Sequence, residues 1–103
     1  MNKYRILITQ RAFSDINECV LFVNNVSKEA AKDLYKEIIA SIKSLETFPD
    51  AYPNIDGLTI KDVSIKRMLV HHGRYMILYK IEGDLVTIYD IIDSRKDNSI
   101  LKL

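Results

Sequence analysis

The stretch Arg67–Arg95, RMLVHHGRYMILYKIEGDLVTIYDIIDSR, decides the fold. Tyr75, Ile77, Tyr79 and Ile81 alternate with Met76, Leu78 and Lys80, the period-two pattern of a pleated strand with one covered side. Glu82-Gly83-Asp84 reverses the chain, and Leu85 to Ile92 follows, rich in β-branched and aromatic residues. A short Gly-containing connection between two such runs signals a hairpin. A preceding strand, from about Ile65 to Val70, joins through His71-His72-Gly73, so the second half reads as an antiparallel meander of three strands.

Outward from this stretch, the first half has a helical period. After the short apolar run Tyr4 to Ile8, Thr9 stands where a side-chain oxygen caps a helix, and Phe13, Ile16, Val20 and Val23 recur at three- and four-residue spacing. Asn24-Asn25 ends that helix. Ser27 caps a second one, of about twenty residues, with Glu29 in the first turn, where the macrodipole favours an anion. Its apolar stripe is Ala30, Leu34, Ile38, Ile42 and Leu45, widened by Ala31, Tyr35 and Ile39. Pro49 limits it, because proline cannot continue the hydrogen bonding and biases Phe48 away from helical angles. The segment from Asp50 to Asp62, with Pro53 and Gly57, reads as the loop between helices and meander. The expected class is α+β, a helical hairpin on a mostly antiparallel sheet in the order β-α-α-β-β-β.

At 103 residues the chain fits a single domain, residues 1–103, large enough to fold without disulfides or metal. Cys19 is the one cysteine; this excludes an internal disulfide and points to a reducing, cytoplasmic setting. Inside a helix it reads as a small hydrophobe rather than a nucleophile. No leader pattern is visible, and no apolar run approaches the roughly 20 residues that span a bilayer.

Fifteen Lys and Arg against fourteen Asp and Glu give a net charge of +1, so any basic patch must come from arrangement rather than excess. A tandem His71-His72 lacks a third ligand at suitable spacing. No metal and no cofactor is expected.

Taken together, YRILIT followed by a Gln-Arg-Ala-Phe helix start, the LETFPDAYP break and the GRYMILYKIEGDLVTIYDIIDSR meander resemble the RelE/ParE superfamily of type II toxin-antitoxin toxins over nearly the whole chain. The resemblance implies a growth-inhibiting toxin of the kind linked to plasmid stabilisation, and a cognate antitoxin bound in a hetero-oligomer. It leaves the victim open. ParE-like members poison DNA gyrase, whereas RelE-like members are ribosome-dependent mRNA endonucleases; a third reading is an inactive antitoxin-binding relic. Fold alone does not choose among them.

Metal-free RNA cleavage needs a base for the 2′-hydroxyl, cations for the phosphorane and an acid for the leaving oxygen. Carried over from the RelE-like pattern, the terminal arginine falls on Arg95 and a basic residue of the first meander strand on Arg67. The arginine expected after the strand tyrosine is Met76 here, and an expected tyrosine falls near Leu101. His71, His72 or Asp93 would have to substitute as base or acid, and His72 completes the catalytic set of that reading. Under the ParE-like reading, a basic C-terminal portion, here Arg95, Lys96 and the tail Ser99 to Leu103, carries toxicity, although Asp93 stands where a histidine commonly precedes the terminal arginine. Target binding is assigned to Arg67, Arg74, Arg95 and Lys96, with Arg67 and Arg95 expected on one surface. Antitoxin binding is assigned to the exposed apolar positions Leu21, Phe22 and Val26, an amphipathic helix or an added strand being the usual mode for a segment that folds on binding.

Overall fold

The computed structural model describes residues 3–95. Strand β1 (Arg5–Ile8) leads into helix α1 (Gln10–Asn24), helix α2 (Lys28–Ser44) and a 3-10 turn at Pro49–Ala51, followed by β2 (Asn54–Ile60), β3 (Val63–Val70), β4 (Tyr75–Glu82) and β5 (Leu85–Asp93). The five strands form one sheet in the order β1-β5-β4-β3-β2. Only β1 runs parallel to its neighbour, Arg5 facing Leu85 and Ile8 facing Ile88; the other pairings are antiparallel. Among the described residues, no helix is long and apolar enough to cross a membrane.

Both helix starts are set by the side chains expected. Thr9 Oγ1 and Ser27 Oγ each accept from the backbone N–H three residues on, at 3.1 Å. These bonds satisfy donors that the first helical turn leaves without an intrahelical partner. Asn25 closes α1; α2 is 17 residues long and ends with Leu45 as its cap, four positions ahead of Pro49.

The main core lies between the helices and one sheet face. Ala12 and Ile16 of α1 and Leu34, Ile38 and Ile42 of α2 pack on Met68, Val70, Tyr75, Ile77, Tyr79, Val86, Ile88 and Ile91. The stripe on α1 is rotated from the expected one. Ala12, Ile16, Cys19, Val20 and Val23 face the sheet, while Phe13 is 51% exposed. On α2, Ala31 is buried and Ala30 and Tyr35 are exposed.

Residues 50–62 are not a loop throughout, since β2 pairs with β3 in the middle of them. The alternation that betrays a strand is broken there by a register irregularity between Asn54 and Thr59, around Gly57 at φ +75°. Five steps along β2, from Asn54 to Thr59, oppose two along β3, from Lys66 to Ser64, and this odd excess of three moves the later side chains to the other phase. The buried side of β2 is therefore spaced as Ile55, Leu58, Ile60.

Those three residues pack against a second cluster of Ile65, Met76 and Leu78, with Tyr89 and Ile92 beside it. Strand β4 is consequently covered on both faces, not on one as its alternation suggests. Lys80 is buried too; its Nζ lies 2.6 Å from Glu82 and 5.5 Å from the Tyr89 ring centroid.

Two hairpin turns follow from left-handed backbone. Lys61 (φ +53°) and Asp62 (φ +67°) link β2 to β3, the two-residue arrangement with both central φ positive that matches strand twist. Between β4 and β5, Gly83 takes φ +59°, and Asp84 beside it accepts from Arg5 Nε and a terminal nitrogen at 3.2 and 3.0 Å, tying β1 to the hairpin.

Candidate functional site

The end of β5 and the turn between β3 and β4 come together into one cationic cluster. Asp93, last residue of β5, is opposite Tyr75, first residue of β4. Beyond it, Ser94 N–H donates to the Arg74 carbonyl at 2.9 Å, and Ser94 Oγ lies 2.7 Å from the Gly73 carbonyl and 3.0 Å from that of Arg74. The chain is thereby brought back over the turn that carries Arg74.

Asp93 then receives two guanidinium groups. Arg95 Nε lies 3.7 Å from Oδ1 and Arg74 Nε 3.9 Å from Oδ2. Both separations exceed hydrogen-bond length, so the attraction is Coulombic and does not use up the donors. The Arg95 backbone N–H takes Oδ1 instead, at 2.9 Å. Arg74 stacks 5.5 Å from the Tyr75 ring centroid, and its buried Nε has no hydrogen-bond partner among the described residues. Two positive groups on one carboxylate leave a net positive charge. Such a pair suits a phosphate or carboxylate ligand, which guanidinium binds through its planar fork of donors.

The turn itself is strained. His71, His72 and Gly73 all have left-handed φ, +55°, +58° and +81°, a run that costs side-chain-bearing residues steric energy. Glu37 of α2 grips it, Oε2 accepting from His71 N–H at 2.7 Å and Oε1 lying 2.9 Å from His71 Nδ1. That hydrogen bond to the His71 side chain is the main reason the Glu37 carboxyl is held below its usual range. His72 is exposed, on the same turn as Arg74.

Arg67 is elsewhere, which corrects the expectation that it shares a surface with Arg95. It pairs with Leu78 on β4, and cross-strand partners share a face. Arg67 thus lies on the sheet side of Leu78 and Ile65, whereas Asp93 and Tyr75 face the helices. It also sits two strands over from β5, a lateral step of about 10 Å. Of the target-binding set, the structure brings together Arg74 and Arg95; Lys96 and the tail from Ser99 lie outside the described residues. Of the cleavage set, it brings together Arg95 and the His72 turn without Arg67. Neither buried tyrosine is poised as a base. Burial raises the Tyr75 phenol above its usual range, and burial likewise raises Tyr79, whose hydroxyl donates to the Pro49 carbonyl at 2.6 Å.

Beside the arginine pair, a groove of about 530 Å³ runs between α1 and β5, lined by Cys19, Leu21, Phe22, Tyr75, Asp90 and Asp93 among others. Leu21 and Phe22 are 63% and 50% exposed, and Val26, just past the helix, is 86% exposed.

The groove also holds an acidic pair that the sequence reading passed over. Asp90 carries a hydrogen bond with Asp15 and an ion pair with Arg11 at 3.3 Å, while Asp15 accepts from the Ile91 N–H at 3.2 Å. Burial, then the Asp15 hydrogen bond and charge, push the Asp90 carboxyl up to about 7, against the weaker pull of Arg11. One available signal was an aspartate inside the β-rich run IYDII. Among the described residues, no group of three or more His, Cys, Asp or Glu side chains is placed to hold a metal ion.

Two solved structures share this architecture, and both come from toxin-antitoxin systems. A chain of the chromosomal ParDE system from P. aeruginosa superposes with a TM-score of 0.70 at 13% identity, over 88% of this chain and 96% of that one. A chain of the archaeal RelE-RelB complex from Pyrococcus horikoshii OT3 gives 0.58 at 15%, over 92% and 99%. No curated protein matches at the sequence level. The model of the ParE toxin of the type II toxin-antitoxin system parDE matches residues 6–98, and the chain therefore belongs to the ParE toxin family.

Proposed function

We propose that this chain is the toxin of a type II module that arrests bacterial growth by ParE-like inhibition of DNA gyrase in the cytoplasm, held in check by a cognate antitoxin. The observation that carries this reading is the pairing of Arg74 and Arg95 on Asp93 at the end of the sheet, with Arg67 on the opposite face. An inhibitor that works by binding needs a cationic, well-positioned surface. A ribonuclease needs base, acid and phosphate-binding cations around one phosphodiester, and the conjunction of Arg95, Arg67 and His72 required for that is not assembled. One observation favours the alternative of ribosome-dependent mRNA cleavage: exposed His72 shares the turn of Arg74 and supplies an imidazole two residues from it.

Membership of the family, and the origin of both similar structures in toxin-antitoxin systems, support an antitoxin partner for this chain. The groove rim of Leu21 and Phe22, continued by Val26, offers exposed apolar anchors to an amphipathic segment of it, next to the arginine pair. Binding there would cover Arg74 and Arg95 by proximity.

The discriminating experiment compares purified toxin in a gyrase supercoiling assay and in a translation reaction with mapped message ends. Inhibited supercoiling that is lost in Arg95→Ala is the expected result. Cleavage of translated but not naked message would establish the alternative. Absence of both, with intact antitoxin binding, would leave an inactive relic.

A further inference from the structure

Two fasteners from opposite sides hold the turn that carries Arg74. Glu37, on α2, spans 34 residues of sequence to bond both the backbone N–H and the ring of His71. Ser94 spans about 20 to bond the Gly73 and Arg74 carbonyls through its hydroxyl and the latter again through its N–H. Between these anchors lie three consecutive left-handed residues, two of which carry side chains. Backbone in sparsely populated regions persists only where its surroundings over-determine it.

The fasteners act where the charges are. Arg74 follows the strained residues directly, and Arg95 follows Ser94. With either anchor released, the turn would be free to relax toward ordinary φ and would carry the Arg74 backbone with it. We propose that Glu37 and Ser94 are positioning residues, which clamp the His71–Arg74 turn so that Arg74 and Arg95 stand side by side over Asp93 as one anion-binding pair. This inference rests on the proposed role of that pair in toxicity. Neither Glu37 nor Ser94 has to touch the target. Glu37 also links the pair to α2, so a ligand that shifts α2 against the sheet would disturb the cationic surface without covering it.

The experiment compares Glu37→Ala, Glu37→Gln, Ser94→Ala and Ser94→Thr with Arg95→Ala, all at equal concentration of folded protein as judged by thermal unfolding. Amide exchange and nitrogen chemical shifts of His71, Arg74 and Arg95 are read in the isolated chain, and supercoiling inhibition is read beside them. Loss of the charge-assisted bond in Glu37→Ala should accelerate His71 amide exchange by about tenfold or more, shift the Arg74 and Arg95 resonances and weaken inhibition by at least about fivefold. Glu37→Gln retains an acceptor, Ser94→Thr retains the hydroxyl, and each should restore most of both readouts. A purely structural role would lower the unfolding temperature without this rescue pattern. If Arg95→Ala abolishes inhibition while Glu37→Ala and Ser94→Ala inhibit like the parent with unmoved Arg74 and Arg95 resonances, the clamp is wrong and the toxic surface stands. If Arg95→Ala inhibits supercoiling like the parent, the role of the arginine pair in inhibition fails, and the resonances alone decide the clamp: shifted with rescue, it stands; unmoved, it falls.

Discussion

Replacing Asp90 with asparagine should make the protein more stable at alkaline pH and leave it nearly unchanged in acid. The Asp90 carboxyl ionises near 7 in the folded chain against an ordinary value of 3.8. Below about pH 4 both folded and unfolded chains carry the proton, and the Asp15–Asp90 hydrogen bond contributes fully. Between about 4 and 7 the unfolded chain gives the proton up while the folded chain retains it, so stability declines as pH rises. Above 7 both states are ionised and the loss is complete. At about 1.4 kcal/mol per pH unit, a gap of roughly three units sets a ceiling near 4 kcal/mol. The value of about 7 already includes the pull of Arg11; the carboxylate is partly open to the groove, and solvent screening brings the expected loss to about 2–4 kcal/mol. The amide introduced by Asp90→Asn cannot ionise, and it can donate to Asp15 as the protonated acid does. Urea unfolding at about pH 4 and pH 8 should therefore show the variant gaining about 2–4 kcal/mol on the parent between the two conditions. Equal differences at both pH values would refute the buried acid pair; so would a parent that gains on the variant as pH rises.

Two other perturbations test the framework around the site. Tyr79→Phe leaves the Pro49 carbonyl without its 2.6 Å donor in a fully buried place, and chemical denaturation should record a loss of about 1–2 kcal/mol with an unchanged denaturant slope. Asp62→Gly removes a side chain from a residue at φ +67° in the β2–β3 turn; glycine relieves that strain at some cost in chain entropy, and a net gain of about 0.5–1 kcal/mol is expected. A destabilised glycine variant would mean that Asp62 makes a compensating contact in the turn.

The order of elements was legible because it depends on local signals. Thr9 and Ser27 announced the helix starts, and the β4–β5 hairpin was announced by two β-rich runs around Gly83. What was not legible depends on how elements lie on each other. Phe13 and Ala12 both fit a helical period, and only the sheet beneath α1 chooses Ala12 for burial. Gly57 disrupted the alternation that would have revealed β2. The same limit governed the site: Arg74 and Arg95 meet because Ser94 folds over the turn, and Arg67 is kept apart by a facing rule that needs the β3–β4 register. Glu37 gave no signal at all. An acidic residue on the exposed side of a helix is ordinary until the strained turn it holds is seen 34 residues away.

The parallel pairing of β1 with β5 also sets a timetable for birth on the ribosome. Arg5 must wait for Asp84, and at about 5–20 residues per second the intervening stretch takes roughly 4–16 s to synthesise. Until β5 is made, α1 and α2 lack one of the strands that cover their apolar sides, and Arg74 and Arg95 have not been brought together. The newborn chain thus shows uncovered apolar helix faces before its arginine pair exists, and the pair forms only once β5 and the residues just past it have emerged.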